Sequence, residues 1–354
     1  MKNKVIVFTF VIYLFFFSIA HVLIKDKIVS ETERRKLTNF PQFKLESDFI
    51  TNIEDYLLDH FPFREKFRNL KAAYNYKILN QLEINKIYIK DNYIFKSEYP
   101  TNKKSISYFK QNINKISKNF TEENRVFLLT VPDKNYYLND KNFLQINYDY
   151  LYNELSFPQI TNIDIRNIME LEDYYETDTH WKQEKLNKVV KMLSSYLNFE
   201  YQEYQYKENK FDNFYGVYYG ESAVSRNPET ITYLTNYVLD NSKVIYLENK
   251  NLNNIYNIEK LNSLDSYEVF LDGASSFIEI YNDFNLKNRE LIVFRDSFGS
   301  SLVPLLIPYY SKIIVIDNRY ITSDNFKKFV KFTNQDILFL YSTLIINNSY
   351  SLKG

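Results

Sequence analysis

The chain contains no cysteine and only five glycines, three histidines and one tryptophan among its 354 residues. The absence of cysteine excludes disulfides, Cys-ligated zinc, iron–sulfur clusters and thiol catalysis together. Gly216, Gly220, Gly273, Gly299 and Gly354 form neither a G-x-G-x-x-G run nor a P-loop, so there is no Gly-rich phosphate cradle. With so few histidines we expect no His-rich metal site, no metal and no cofactor. Neither sign of charge is in excess, because 44 basic and 44 acidic residues give a formal net charge of zero. No chain-wide field favours nucleic acid as a partner. Oxygen chemistry remains, carried by Ser, Asp, Glu and Tyr with at most three imidazoles. The richness in Asn, Lys, Ile, Tyr and Phe has the look of codon bias, so surface Asn and Lys say little. Aromatic residues reach 18%. Most are expected in the core, and the remainder could serve as stacking platforms for sugar rings.

Charges are missing from one long stretch, Val5 to Ile24. At about 1.5 Å per residue it just spans a hydrocarbon core of about 30 Å. Lys2 and Lys4 favour a cytoplasmic N-terminus, while Lys25 and Lys27, with Asp26 between them, oppose that orientation. Ser18-Ile19-Ala20 resembles a small-x-small cleavage site, so the segment reads as an uncleaved anchor or a signal peptide. In both cases the remainder is extracytoplasmic: tethered in a single pass, or secreted. A large core needs no disulfide staple there.

Lys25 to about Gln42 is charged and reads as a linker. A helical stripe of Phe49, Ile50, Ile53, Tyr56 and Leu57 follows Ser47-Asp48, a plausible N-cap. Pro62 should break it, with a second helix from Arg64 to about Leu79. Short apolar runs then alternate with helical stretches. The expected strands are Val126–Val131, Val244–Leu247, Tyr267–Leu271, Phe277–Tyr281, Leu291–Phe294, Ile313–Ile316 and Ile337–Tyr341. Continuous runs such as Leu291-Ile292-Val293-Phe294 suit strands buried on both faces. The interval before Ile313 holds Ser301-Leu302-Val303-Pro304-Leu305-Leu306, long enough for a crossover helix. This is α/β architecture. The Tyr-, Glu- and Asn-rich segment from Tyr201 to about Asn213 reads as a surface excursion.

Chemistry is found by elimination among the histidines. His21 lies in the apolar segment. His60, in Asp59-His60-Phe61-Pro62-Phe63-Arg64, sits at a helix end, where capping or packing explains it. His180 lies in Tyr174-Tyr175-Glu176-Thr177-Asp178-Thr179-His180-Trp181, ahead of a helix whose inner face reads Leu186, Val189, Val190, Leu193 and Leu197. An Asp two positions before a His can accept from the imidazole, fix its tautomer and leave the other nitrogen as a base. Asp178 or Thr179 could equally cap the following helix. In Arg295-Asp296-Ser297-Phe298-Gly299, Ser297 follows a buried strand and precedes a helix, the place where open α/β sheets put their ligands. Backbone amides at that helix start suit a developing oxyanion. Ser297 also fits a plain N-cap. One eligible His, one Asp beside it and one Ser at a sheet edge are the parts of nucleophilic acyl transfer.

These residues resemble a known family. Tyr174-Tyr175-x-Thr177-Asp178-x-His180-Trp181 is similar to the motif of the DHHW proteins. These in turn resemble the alginate O-acetyltransferases, permuted SGNH (GDSL-like) hydrolases in which Asp-x-His precedes the Ser. Glu33-Arg34-Arg35-Lys36-Leu37, Asp59 to Arg64, Val131-Pro132-Asp133-Lys134, Tyr215-Gly216-Val217-Tyr218, Asp296-Ser297 and Val315 to Tyr320 extend the resemblance over roughly residues 30–345. It implies an SGNH-like α/β fold, a mostly parallel sheet flanked by helices. An N-terminal transmembrane helix and a short helical segment would precede it, dividing the chain as 1–24, 25–80 and 81–354. It also implies Ser297 as nucleophile, His180 as base and acid, and Asp178 as its orienter. Gly273, Gly216, Arg295, Trp181 and Tyr175 become candidates for the oxyanion pocket or substrate contact. Leu271-Asp272-Gly273-Ala274 stands where relatives usually show Gly-Gly-Asn, so a side-chain donor is missing at Ala274. The implied activity is O-acetylation of a cell-surface or secreted polysaccharide, with a multi-spanning membrane O-acyltransferase as acetyl donor. An acetylesterase with the same triad, or a polysaccharide-binding subunit with a decayed site, are the alternatives.

Overall fold

Lys2–Leu23 forms one helix, α1, long and apolar enough to cross a membrane. The computed structural model describes residues 2–43 and 48–353; the expected N-cap Ser47 lies outside them. The chain divides into two compact units, Met1–Ile84 with Tyr219–Arg226, and Asn85–Tyr218 with Asn227–Gly354.

In the first unit Asp48–Asp59 forms α2 and Arg64–Ala73 forms α3, which runs on into a π-helical turn, Tyr74–Ile78. Pro62 falls between the helices, as expected, because it cannot supply an amide to continue α2. Of the apolar stripe on α2 only Tyr56 is buried. The segment read as a charged linker is tied down. Val29–Ser30 pairs antiparallel with Arg35–Lys36. Glu33 takes Arg64 at 2.7 Å, and Asp59 takes Arg35. Burial opposes the charge on Glu33, yet Arg64, Arg68 and Arg35 together hold its carboxyl below the usual range. His60 lies here, its Nε2 2.9 Å from Thr38 O and its Nδ1 3.5 Å from Asp26. Its ring also packs on Tyr56, with centroids 4.6 Å apart.

The second unit is built on a seven-stranded sheet. We label its strands β1 (Arg125–Val131), β2 (Thr161–Asp164), β3 (Lys243–Tyr246), β4 (Phe277–Tyr281), β5 (Glu290–Arg295), β6 (Lys312–Ile316) and β7 (Asp336–Ser342). Their spatial order is β3-β4-β6-β5-β7-β1-β2. β6, β5, β7, β1 and β2 pair in parallel, and β4 pairs antiparallel with both β6 and β3. The continuously apolar runs are explained by cover on both faces. Alternate side chains of β5 point opposite ways, so Leu291 and Val293 enter one core while Ile292 and Phe294 enter the other. The second core receives Ile106, Phe109, Ile113 and Ile116 of α4 (Lys103–Ser117). The first receives α5 (Asn187–Leu197) through Val189, Val190, Leu193 and Leu197, and α6 (Phe298–Leu306) through Leu302, Val303 and Leu305. α6 is the expected crossover between β5 and β6.

Two expectations need correction. Tyr267–Leu271 is not a strand: Ser266–Val269 is a 3-10 helix, and Leu271, Asp272 and Gly273 all take positive φ. The run is apolar because it is buried, and apolarity alone does not distinguish a tucked turn from a strand. The excursion after Tyr201 is partly ordered, since Lys207–Phe214 pairs antiparallel with Glu229–Thr235. Its alternating exposure and its Lys, Glu and Asn content disguise the strand.

Candidate active site

β5 ends at Arg295, and α6 begins at Phe298, leaving Asp296 and Ser297 on the turn between them. The Asp296 carboxylate pins this turn. Its Oδ1 accepts from the Phe298 amide at 3.0 Å, and its Oδ2 from the Ser342 amide at 2.7 Å, at the end of β7. Ser297 is thereby held at the carboxyl edge of the sheet. Among the described residues its own amide has no acceptor within the chain, so that N–H at the start of α6 is available to a developing oxyanion.

The segment 174–181 brings the imidazole to it. Tyr174 and Trp181 form an antiparallel bridge, and the Tyr175 amide donates to His180 O at 3.1 Å. The loop therefore closes on itself with Asp178 inside. His180 Nδ1 lies 2.6 Å from Asp178 Oδ1, and its Nε2 lies 2.7 Å from Ser297 Oγ. With Nδ1–H donating to the carboxylate, Nε2 is the acceptor for the serine hydroxyl. Asp178 does not cap the helix that follows it in sequence, α5, whose N-cap position is Leu186. Its Oδ1 also accepts from the His180 amide at 3.0 Å, and its Oδ2 from the Val217 amide at 2.8 Å. Asp178 is fully buried and His180 nearly so, while Ser297 is half-buried. A base and nucleophile within about 2.6–3.2 Å, with the base held by a third group, is the geometry that acyl transfer requires.

Two charged side chains hold this loop from opposite sides, and neither is evident from the sequence as a site residue. The Lys134 ammonium donates to the carbonyls of Tyr175 (3.0 Å), Glu176 (3.0 Å) and Asp178 (2.6 Å). It is fully buried, within 6 Å of the ring centroids of Tyr93, Phe95 and Tyr218. The Glu229 carboxylate accepts from the amides of Glu176 and Thr177 at 2.7 Å and from Thr177 Oγ1 at 2.5 Å. An ammonium on the carbonyls and a carboxylate on the amides fix the loop's backbone. Gly216 completes it. A Cβ there would run into Thr177 O, and its absence lets Gly216 N reach Thr177 Oγ1 at 2.9 Å and Val217 N reach Asp178.

Tyr267 also escaped the sequence. Its ring lies flat against the His180 imidazole, with centroids 3.8 Å apart and planes 6° from parallel. Its hydroxyl is 2.8 Å from Ser301 Oγ, and burial pushes it well above the ordinary tyrosine range, so it stays neutral. The ring therefore restrains the imidazole while the hydroxyl anchors the ring. Tyr267→Ala is expected to lower turnover of an acetyl ester by about 10–10²-fold, through a loosened base. Tyr267→Phe keeps the stack and should stay within a few-fold. Steady-state kinetics on both variants check this, and equal losses would show that the hydroxyl, not the ring, matters.

The expected oxyanion and substrate candidates take other roles. The Gly273 amide donates to Phe270 O and that of Gly216 to Thr177 Oγ1, so neither is free for an oxyanion. Gly273 instead closes the left-handed run 271–273, where a Cβ would meet Glu268 Cγ at 2.6 Å. Arg295 is fully buried. It donates to Ser300 Oγ at 2.8 Å and Gly273 O at 3.0 Å, and lies 3.6 Å from Asp317. Burial pulls its guanidinium below the ordinary arginine value, and Asp317 opposes that. Its guanidinium braces the 271–275 turn. Trp181, also fully buried, donates to Phe298 O and to Ser301 Oγ (2.8 Å), tying the His180 loop to α6. Tyr175 is buried against Phe214 at 4.8 Å.

Known proteins bear out the resemblance read from the sequence. Residues 150–316 match the model of the DHHW protein family. A DHHW family protein from Eubacterium siraeum superposes with a TM-score of 0.63 at 19% identity, covering 77% of this chain and 97% of that one. PatB1 from Bacillus cereus gives 0.60 at 17% identity, covering 73% and 96%. A second PatB1 structure, with a sulfonyl adduct, gives 0.59 at 17%, covering 73% and 97%. At these identities the likeness establishes the fold. No curated protein matches the sequence.

Proposed function

We propose that this chain is an extracytoplasmic O-acetyltransferase, anchored by α1, that acetylates hydroxyl groups of a polysaccharide through an acetyl-Ser297 intermediate. One observation carries the reading: the unbroken relay from Ser297 Oγ to His180 to Asp178, at 2.7 and 2.6 Å. His180 Nε2 takes the hydroxyl proton as Oγ attacks the acetyl carbonyl of the donor. The Ser297 amide faces the oxyanion of the tetrahedral intermediate. The imidazolium, stabilised by Asp178, returns the proton to the leaving group, and acetyl-Ser297 remains. A sugar hydroxyl then attacks that ester and gives its proton to His180. Collapse releases the O-acetylated sugar, and the proton goes back to Ser297. The donor is proposed to be a multi-spanning membrane O-acyltransferase, which α1 would place alongside.

Of the expected oxyanion donors among the described residues, the Ser297 amide alone is free, because Ala274 has no polar side chain and the amides of Gly216 and Gly273 are engaged. Removing one such donor elsewhere costs about 10²–10³ in turnover. That observation favours a second reading, a polysaccharide-binding subunit with a weakened site.

The test uses the full chain in detergent with 4-nitrophenyl acetate and unacetylated oligosaccharides. O-acetylated sugar in the products supports the transferase. Acetate with no acetylated sugar assigns an acetylesterase. A folded chain that yields neither product, and that phenylmethylsulfonyl fluoride does not label at Ser297, is the binding subunit.

A further inference from the structure

Helix α3 and the turn that continues it carry an apolar stripe on their outer face. Phe67, Leu70 and Tyr74 recur at helical intervals, within an arc of about 60° at 3.6 residues per turn, with Phe63 at the N-cap before α3 and Ile78 at the end of the π-helical turn. All five are 41–66% exposed, whereas Ala72, on the opposite side, is buried. By the same geometry Lys66 borders one edge of the stripe and Lys71 the other, and Lys77 lies in the π-helical turn beside Ile78, all three exposed. The segment's one acidic residue, Glu65, is part-exposed away from the stripe and accepts from Thr32, Arg64 and Arg68. The exposed face is therefore apolar along its centre and positive along both margins.

α1 indicates what covers it. Phe17 stacks on Phe61 with centroids 5.2 Å apart and lies 5.9 Å from Phe67, itself a member of the stripe. Phe17 is six residues from the end of α1 at Leu23, about 9 Å along a helix axis. The stripe thus begins where the candidate span would still present apolar surface to acyl chains. A protein groove would satisfy the apolar centre but not call for lysines on both flanks. A second copy packed stripe to stripe would bring those lysines against one another.

We infer that α3 lies in the bilayer boundary, its apolar stripe at the acyl edge and Lys66, Lys71 and Lys77 among anionic headgroups. This is the build of an interfacial helix, which buries its apolar face about 5–10 Å into the boundary while long lysine stems reach the phosphates. It gives the first unit a second membrane contact beside the span. The inference rests on α1 crossing the bilayer and is independent of the acyl chemistry.

The chain has no cysteine, so single labels can be placed without background. The full chain is reconstituted in phosphatidylcholine nanodiscs, with and without phosphatidylglycerol. Nitroxides are attached at Leu70→Cys and Ile78→Cys, at Gln42→Cys as an aqueous control and at Phe10→Cys in α1. Their accessibility to oxygen and to a water-soluble nickel chelate is compared. The expected result is an oxygen-to-nickel ratio several-fold above Gln42→Cys at both stripe positions, rising further with phosphatidylglycerol. With Phe10→Cys in lipid, stripe labels as open to nickel as the control overturn the inference and leave the anchor standing. Stripe labels shielded from both reagents mean a protein cover and also overturn it. Should Phe10→Cys itself be open to nickel, the span and the inference fall together.

Discussion

Ser297→Ala is expected to lower turnover of an acetyl ester by about 10⁴–10⁶-fold, as loss of a nucleophile does in enzymes of this design. His180→Ala should cost a similar factor. The double variant should cost little more than either alone, because Ser297 Oγ and His180 Nε2, 2.7 Å apart, act as one unit. Such non-additivity separates a working pair from two residues that merely sit close. His60→Ala serves as the control and should stay within a few-fold of wild type, since its imidazole is occupied with Thr38 O and Asp26. Steady-state kinetics on folded variants, checked by circular dichroism, read all four. A large loss in His60→Ala with His180→Ala unaffected would reassign the base.

The second large effect is expected at Lys134. Its ammonium touches no reacting group, yet it fixes three carbonyls of the loop that holds Asp178 and leads to His180. Lys134→Met keeps the length of the side chain and removes every donor. Turnover should fall by about 10²-fold, the scale of a misplacement of about 1 Å, with KM changed much less. The same lysine predicts a signature in stability. Burial pushes its amine down to about 7, against the pull of Asp178, Glu229 and Glu176 and with Lys182 nearby adding to the depression. In the unfolded chain it keeps its proton to about 10.4. Between those values the unfolded chain binds the extra proton, so the fold gains stability as pH rises from about 7 towards 10. Below about 7 both states are protonated, and the full cost of burying the charge is present. Urea midpoints for wild type and Lys134→Met across that range measure the difference. Wild type should climb relative to the variant, and parallel curves would mean that folding does not depress the proton affinity of this amine.

The second α/β unit was legible where chemistry and burial leave few choices. With His21 in an apolar segment and His60 at a helix end, only His180 was left as a base. Runs such as Leu291 to Phe294 suit a strand covered on both faces, and the structure has one there. What the sequence hid acts over distance or through the backbone. Lys134 and Glu229 look like surface charges in a chain with 44 of each sign, and only folding brings both to the same loop. Tyr267 sits in an apolar run that mimics a strand. Arg295, Trp181 and Tyr175 flank the triad in sequence, which makes them look like contact residues. Burial gives Arg295 and Trp181 the task of bracing it instead, and packs Tyr175 into the core beside it. The two glycines singled out for the oxyanion do shape the region, but as close-approach positions rather than as free donors.

A covalent acetyl-Ser297 is tested most directly by peptide mapping with mass spectrometry. The full chain is incubated with 4-nitrophenyl acetate, quenched in acid and digested. A single acetyl group on the peptide carrying Ser297 is predicted, absent from Ser297→Ala and slow to form in His180→Ala. A folded wild-type chain with no acetyl on that peptide, or with the same labelling in His180→Ala, would contradict it.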